Sequence, residues 1–231
     1  PDSYICTSLK VPAGDLYIVK YEPEAHKETA HHMLLFGCER PGGHKKAWNC
    51  GDMGSGTCRG SESILFGWAR DAPSLQLPKD VGFKIGGSTS IQYLTLQIHY
   101  SHALEAGHFD RSGLSLQVTS APQPNVASIY LLLANSAYIP PHSKGTHVDI
   151  ACKYDSDQEI NAFAFRTHAH DLGRVITAYR IRNGAWKLLG KGDPHAPQAF
   201  YPMSNVTTIK KGDILAARCT FDSERATATG I

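Results

Sequence analysis

Arg166, His168 and His170 alternate through the run Ala162-Phe163-Ala164-Phe165-Arg166-Thr167-His168-Ala169-His170. In an extended strand, side chains two residues apart share a face. The arginine and both histidines then line one side. Phe163, Phe165, Thr167 and Ala169 line the other, where they can pack on a core. Alternate Cα atoms in a strand sit about 6.5–7 Å apart. Two imidazoles at that spacing can converge on one metal ion, and an arginine one step along can hold an anionic group beside it. A surface His-x-His often binds nothing, and what raises its standing as a metal site is a second cluster.

That cluster comes from His31, His32 and His99. His31 and His32 are neighbours at the head of an apolar run, Met33-Leu34-Leu35-Phe36, and neighbours in an ideal strand face opposite ways. Both reach one metal only where the strand is bulged or twisted, or where they bind through different ring nitrogens. Otherwise one is a core histidine and the other a surface one. His99 ends a cleanly alternating run. Leu94, Leu96 and Ile98 are expected on the core side and Thr95, Gln97 and His99 on the polar side. Three histidines from two strands make an all-imidazole site, which suits copper or zinc. His26, His44, His102, His108, His142, His147 and His195 lie in polar, turn-rich surroundings and read as solvated. Of these, only His102 is close enough in sequence to support His99.

Strands must position these groups, because helical periodicity is nearly absent. Short alternating runs are separated by Gly, Pro, Asn and Asp. Residues 16–21, 30–36, 64–69, 93–100 and 114–118 are expected as strands of a first unit. Two prolines in 120–125 fix an extended linker. Residues 128–134, 147–152, 160–170, 175–182, 186–190 and 213–221 are the expected strands of a second unit. Asn183-Gly184 is a strong two-residue hairpin signal, and Lys211-Gly212-Asp213 reads as another turn. The expectation is an all-β chain of two tandem antiparallel β-sandwiches, residues 1–121 and 122–231.

With 231 residues, 42% hydrophobic and 19% charged, the chain can bury an ordinary core. A net charge of +2 points to neither nucleic acid nor a membrane surface. No run approaches the length of apolar residues that spans a bilayer. The start at Pro1 reads as a processed or trimmed fragment, so a missing signal peptide says nothing of origin. Four of the six cysteines, Cys6, Cys38, Cys50 and Cys58, fall within the first sixty residues without a Cys-x-x-Cys pair. Disulfides in an oxidising compartment fit that better than zinc. Cys152 and Cys219 pair either with each other or with something outside this chain. Asn205-Val206-Thr207 is a glycosylation sequon.

Taken together, the chain resembles the copper type II, ascorbate-dependent monooxygenases, and within them the branch that hydroxylates peptides ending in glycine. The resemblance covers nearly the whole chain. Its anchors are His31-His32-Met33-Leu34-Leu35-Phe36-Gly37-Cys38, Gln97-Ile98-His99-Tyr100, Ile139-Pro140-Pro141, Arg166-Thr167-His168-Ala169-His170, Pro197-Gln198-Ala199-Phe200-Tyr201-Pro202 and Gly212-Asp213-Ile214-Leu215-Ala216-Ala217-Arg218-Cys219. It implies two jelly-roll-like sandwiches facing across a cleft, each with one copper. His31, His32 and His99 would hold the electron-transfer copper, and His168 and His170 the oxygen-binding copper. The family's methionine ligand lies beyond a segment like 225–231 and is expected outside this chain. Met33 reads as core, and Met53 and Met203 as loop residues. The resemblance pairs Cys6 with Cys50 and Cys38 with Cys58, and gives Cys152 and Cys219 partners in a missing tail.

The implied reaction uses O2 and two electrons from ascorbate to hydroxylate the α-carbon of a C-terminal glycine, the first step of peptide amidation. Arg166 would grip the peptide carboxylate, and Gln97 would orient water in the cleft. A lyase domain that completes amidation is the implied partner, and the lumen of the secretory pathway or the extracellular space the implied location. Two alternatives stand beside this. One is the dopamine β-monooxygenase branch, whose cationic amine substrates suit an arginine poorly. The other is a non-catalytic copper-binding sandwich.

Overall fold

A computed structural model describes residues 3–51, 56–104, 107, 109–134 and 136–224. Among these, regular structure is all strand. The chain divides into two compact units, Pro1–Ile129 and Tyr130–Ile231.

In the first unit the strands are β1 (Ser3–Lys10), β2 (Asp15–Glu24), β3 (His32–Pro41), β4 (Trp48–Asn49), β5 (Cys58–Ala69), β6 (Leu75–Gln76), β7 (Val81–Gly86), β8 (Tyr93–Tyr100), β9 (Gly113–Thr119) and β10 (Asn125–Val126). One sheet runs β4-β1-β8-β3-β5. The other runs β10-β7-β2-β6, with β9 also paired to β2. Tyr17 and Ile18 pair with both β7 and β9, so those two strands flank β2 on opposite edges. The sheets pack through aromatic rings. Tyr21 of β2 stacks on Phe66 of β5 at 4.6 Å and meets Phe83 of β7 edge-on at 5.8 Å. Met33, Leu35 and Trp68 complete this core, and Met33 is there as the sequence suggests.

The outer face of the first sheet is also covered. Disulfides join Cys6 to Cys50 and Cys38 to Cys58, drawing the β3–β5 connection over it. Thr95 and Gln97, expected on a polar face, are therefore fully buried. Ala127 N donates to Gly82 O, and Asn125 pairs with Val81, so the end of the expected linker belongs to the first unit's sheet edge.

The second unit contains β11 (Lys144–Lys153), β12 (Ile160–Phe165), β13 (Gly173–Arg182), β14 (Ala185–Gly192), β15 (Tyr201–Ile209) and β16 (Ile214–Asp222). A four-stranded sheet runs β11-β16-β13-β14, and β12 pairs with β15. Tyr154, Ile209 and Leu215 form a core with Leu132, Ile160, Ala162 and Leu189 packed against it. Asn183 and Gly184 both have positive φ, 51° and 77°, as the β13–β14 hairpin requires. Gly212, at φ 92°, supplies the β15–β16 turn.

Three expectations are corrected here. Residues 128–134 are not a strand. Met203 lies in β15 rather than a loop. And β12 stops at Phe165, which pairs with Tyr201. Antiparallel pairing of 166–170 would need residues 196–200, but Pro197 has no N–H to give and Ala199 N turns back to Pro197 O. Met53, His108 and the segment 225–231 lie outside the described residues.

Candidate metal centres

His32 opens β3 and stands directly opposite His99 on β8. His31 precedes the strand. A turn, in which Thr29 N and Ala30 N both donate to His26 O, delivers the chain to it, and His31 N donates to His99 O at 2.9 Å. Strand alternation therefore does not apply to the adjacent pair, and both rings reach the same point without a bulge between them. The Nδ1 atoms of His31 and His99 are 3.1 Å apart, and both lie 3.3 Å from Nδ1 of His32 when taken pairwise. Tyr4 of β1, opposite His99 in register, stacks on that ring at 4.2 Å and 2°. The stacking fixes the plane of His99. The cluster grades from a buried His99 to an exposed His31, so it opens to solvent.

Three nitrogens in a closed triangle cannot all hydrogen-bond pairwise. Each Nδ1 is either donor or acceptor, and an odd ring leaves one mismatched pair. A single cation accepting three lone pairs resolves this. Imidazole nitrogens about 2.0 Å from a metal sit roughly 3.3–3.5 Å apart in tetrahedral or trigonal sets. The observed spacing fits such a centre. Among the described residues this is the one group of three or more His, Cys, Asp or Glu that converges so.

His168 and His170 lie beyond β12, with ring centroids 5.6 Å apart at 83°. The expected alternation survives the end of the strand. A Cβ on Gly190 would stand 2.4 Å from the Phe165 ring, and one on Gly192 3.0 Å from Thr167 Oγ1. The apolar side of 165–167 thus lies directly on the backbone of β14, where only glycine leaves room. Arg166 and His168 are turned the other way, onto Gln198. Arg166 Nε donates to Gln198 O at 3.1 Å and Nη2 to Gln198 Oε1 at 3.0 Å. His168 Nδ1 is 2.9 Å from the same Oε1. Burial lowers the Arg166 pKa to about 10, which still leaves the guanidinium charged at neutral pH. Among the described residues the two imidazoles belong to no converging group of three His, Cys, Asp or Glu.

Gln97 is not in open solvent. It is 1% exposed, and its amide donates to Gly51 O at 3.2 Å, beside Cys50 and Thr57. Its environment is the disulfide-braced loop over the sheet. His102 is exposed and bonded to Ser101 Oγ. His26, His44, His142 and His147 are exposed, and His195 bonds Asp171 O. Asn205 is exposed on β15, while Thr207 of its sequon is buried. Cys152 and Cys219 are not bonded to each other. Cys152 pairs in register with Leu215 and Cys219 with Val148, four positions apart along the β11–β16 ladder. That places them roughly 13 Å apart on one sheet face, too far for a bond.

The sequence reading missed two residues. Tyr4 had a signal: it sits two residues before Cys6, so both share a strand face, but β1 was not recognised. Gln198 stands in the Pro197–Pro202 run that carries the resemblance, but nothing local marks its role, which depends on a loop folding back onto the segment that follows β12.

The family model for the N-terminal domain of copper type II ascorbate-dependent monooxygenases matches residues 1–106, and that for the C-terminal domain matches residues 125–231. The chain is 43% identical over 234 residues to rat peptidylglycine alpha-amidating monooxygenase, covering all of this chain and 24% of that protein. It is 42% identical, over all of this chain, to the amidating monooxygenase A of Xenopus laevis, 25% of which it covers. Against human dopamine beta-hydroxylase the identity is 26%, over 96% of this chain and 39% of that protein. The chain thus spans about a quarter of the length of the amidating relatives it matches. With both domain models in order on one chain, over the residues that build both histidine groups, the protein belongs to the copper type II, ascorbate-dependent monooxygenases.

Proposed function

We propose that this protein hydroxylates the α-carbon of a C-terminal glycine in peptides, using copper, O2 and ascorbate. The observation that carries this reading is Arg166, a charged guanidinium sharing one glutamine with His168. A cation fixed beside a candidate metal ligand suits a substrate ending in a carboxylate. It disfavours the cationic substrates of an amine hydroxylase, and the dopamine beta-hydroxylase relative is the more distant one.

His31, His32 and His99 would hold one copper and His168 and His170 the other. When bound, the coppers supply the one-electron chemistry that activates O2, with ascorbate as reductant. The protein's own groups do the positioning. The solvent-facing edge of the three-histidine cluster admits a small reductant. Arg166 receives the peptide carboxylate and so fixes the adjacent α-carbon near His168 and His170. Such orientation is a large part of the rate gained when two reactants are held together. Two disulfides fit the lumen of the secretory pathway or the extracellular space. A lyase, on the same polypeptide or a partner, would consume the hydroxylated glycine. No described helix is long and apolar enough to cross a membrane.

The test is oxygen uptake with copper, ascorbate and a glycine-extended peptide, with product mass determined. The expected result is one oxygen atom added to the terminal glycine, with none added to the same peptide carrying a terminal amide. Equal oxidation of both peptides, or of neither, would reject the reading.

A further inference from the structure

Gln198 is buried and spends every polar atom of its side chain. Its Oε1 faces Arg166 Nη2 and His168 Nδ1, and its Nε2 donates to Pro194 O at 3.2 Å. The amide orientation is determined at both ends. A guanidinium only donates and a carbonyl only accepts, so a flipped amide would oppose like groups twice. We infer that Gln198 is a positioning residue that couples the carboxylate clamp to the ligand histidine. The inference rests on the roles proposed above for Arg166 and His168.

The consequence for His168 is tautomeric. Oε1 can only accept, so Nδ1 carries the proton and Nε2 presents its lone pair to a metal. Partners of this kind set ring orientation and ligand basicity. The consequence for Arg166 is rotational. Nε and one Nη2 hydrogen are held by Gln198 O and Oε1. The Nη1 hydrogens and the second Nη2 hydrogen remain as an end-on fork for a carboxylate. One oxygen atom thereby sets both the lone-pair direction of the histidine and the angle at which the peptide terminus docks. A neutral acceptor is needed for this. A carboxylate at 198 would accept the same bonds, but its charge would neutralise Arg166 and repel the substrate's own carboxylate.

Two variants separate the parts. Gln198→Met keeps length and apolar volume but makes none of the bonds. Gln198→Glu keeps the acceptor and adds charge. The measurements are ¹⁵N NMR of the His168 ring in the metal-free protein, copper affinity by chelator competition, and KM with kcat for a glycine-extended peptide. For Gln198→Met we expect loss of the Nδ1–H tautomer, copper affinity at the second centre down about 10–100-fold, and KM up about tenfold or more. For Gln198→Glu we expect tautomer and copper affinity retained within a few fold, with KM up about tenfold or more. A Gln198→Met protein that keeps tautomer, copper affinity and KM overturns the inference, since packing alone would then explain the residue. If that variant does not fold, an unchanged KM in Gln198→Glu overturns it instead. Should the ring and copper respond as expected while the unsubstituted protein hydroxylates no peptide, the coupling is supported and the proposed substrate is what fails.

Discussion

Replacing Asp213 by Asn tests how the second unit is held together, and its cost can be worked from the structure. Asp213 opens onto β16 from the Gly212 turn and is 2% exposed. Arg182 at the end of β13 donates to it twice, Nε to Oδ1 and Nη2 to Oδ2, each at 2.7 Å. Lys210 N adds a third bond at 2.8 Å. Arg182 Nη2 also reaches Thr208 O of β15, so one ion pair ties the four-stranded sheet to the other. The Arg182 hydrogen bonds, foremost, and the Lys210 N–H hold the Asp213 pKa down to about 2. The unfolded carboxyl titrates near pH 3.9. The folded pKa is the lower one, so the stabilisation is complete above about pH 4 and is lost as pH falls towards 2. A depression of that size corresponds to roughly 2.5 kcal/mol. The Arg182 side chain is one-third exposed, and water screens the pair, so we expect about 2 kcal/mol or slightly less from the Asn variant at pH 7. For a domain of about 100 residues, 2 kcal/mol is roughly 8–16 °C in Tm. Denaturant midpoints of both proteins between pH 7 and pH 2.5 are the assay. Curves that coincide at pH 7, or a gap that does not close as pH falls below 4, would refute the reasoning.

Other outcomes follow from the same geometry. Arg166→Gln removes the charged fork and should raise KM for glycine-extended peptides about 100-fold, the worth of a bidentate charge-assisted pair, while kcat changes less; a KM that barely moves rejects the clamp. His99→Ala breaks the imidazole triangle, so elemental analysis after reconstitution should find one copper per chain where the unsubstituted protein binds two. Gly190→Ala puts a methyl group 2.4 Å from the Phe165 ring. We expect a loss of about 1–3 kcal/mol together with weaker copper binding at His168 and His170, both read from copper-dependent melting curves; an unshifted melt means the segment does not rest on β14.

What the sequence disclosed divides along physical lines. Local chemistry was legible: Asn183-Gly184 demands positive φ at both positions, and the alternation of Phe165, Thr167 and Ala169 against Arg166 and His168 holds. The ambiguity of His31 and His32 was not resolvable locally, because the answer lies in a turn closed on His26 O and in a bond to a strand far away. Thr95 and Gln97 read as a solvent-facing polar row because nothing in their own run reveals that disulfides pull the β3–β5 connection over them. β15 was missed since Pro202 and Asn205 suppress a strand reading, and pairing with β12 overrides that local preference. Gln198 depends on tertiary folding entirely.

The pairing of β3 with β8 has a further consequence. His32 meets His99 only in one alignment of those strands. A slip of a single residue would send one imidazole to the opposite face of the sheet. His32 and His99 are 67 residues apart in sequence, and strands that pair at such separation are costly to bring together and slow to find one another. A metal held by these histidines would therefore act as a proofreader of alignment, since chains caught one step out of phase would forfeit its binding energy while correctly threaded chains would be retained by mass action. Copper supply during folding should then govern the yield of correctly aligned protein, and not merely its activity afterwards.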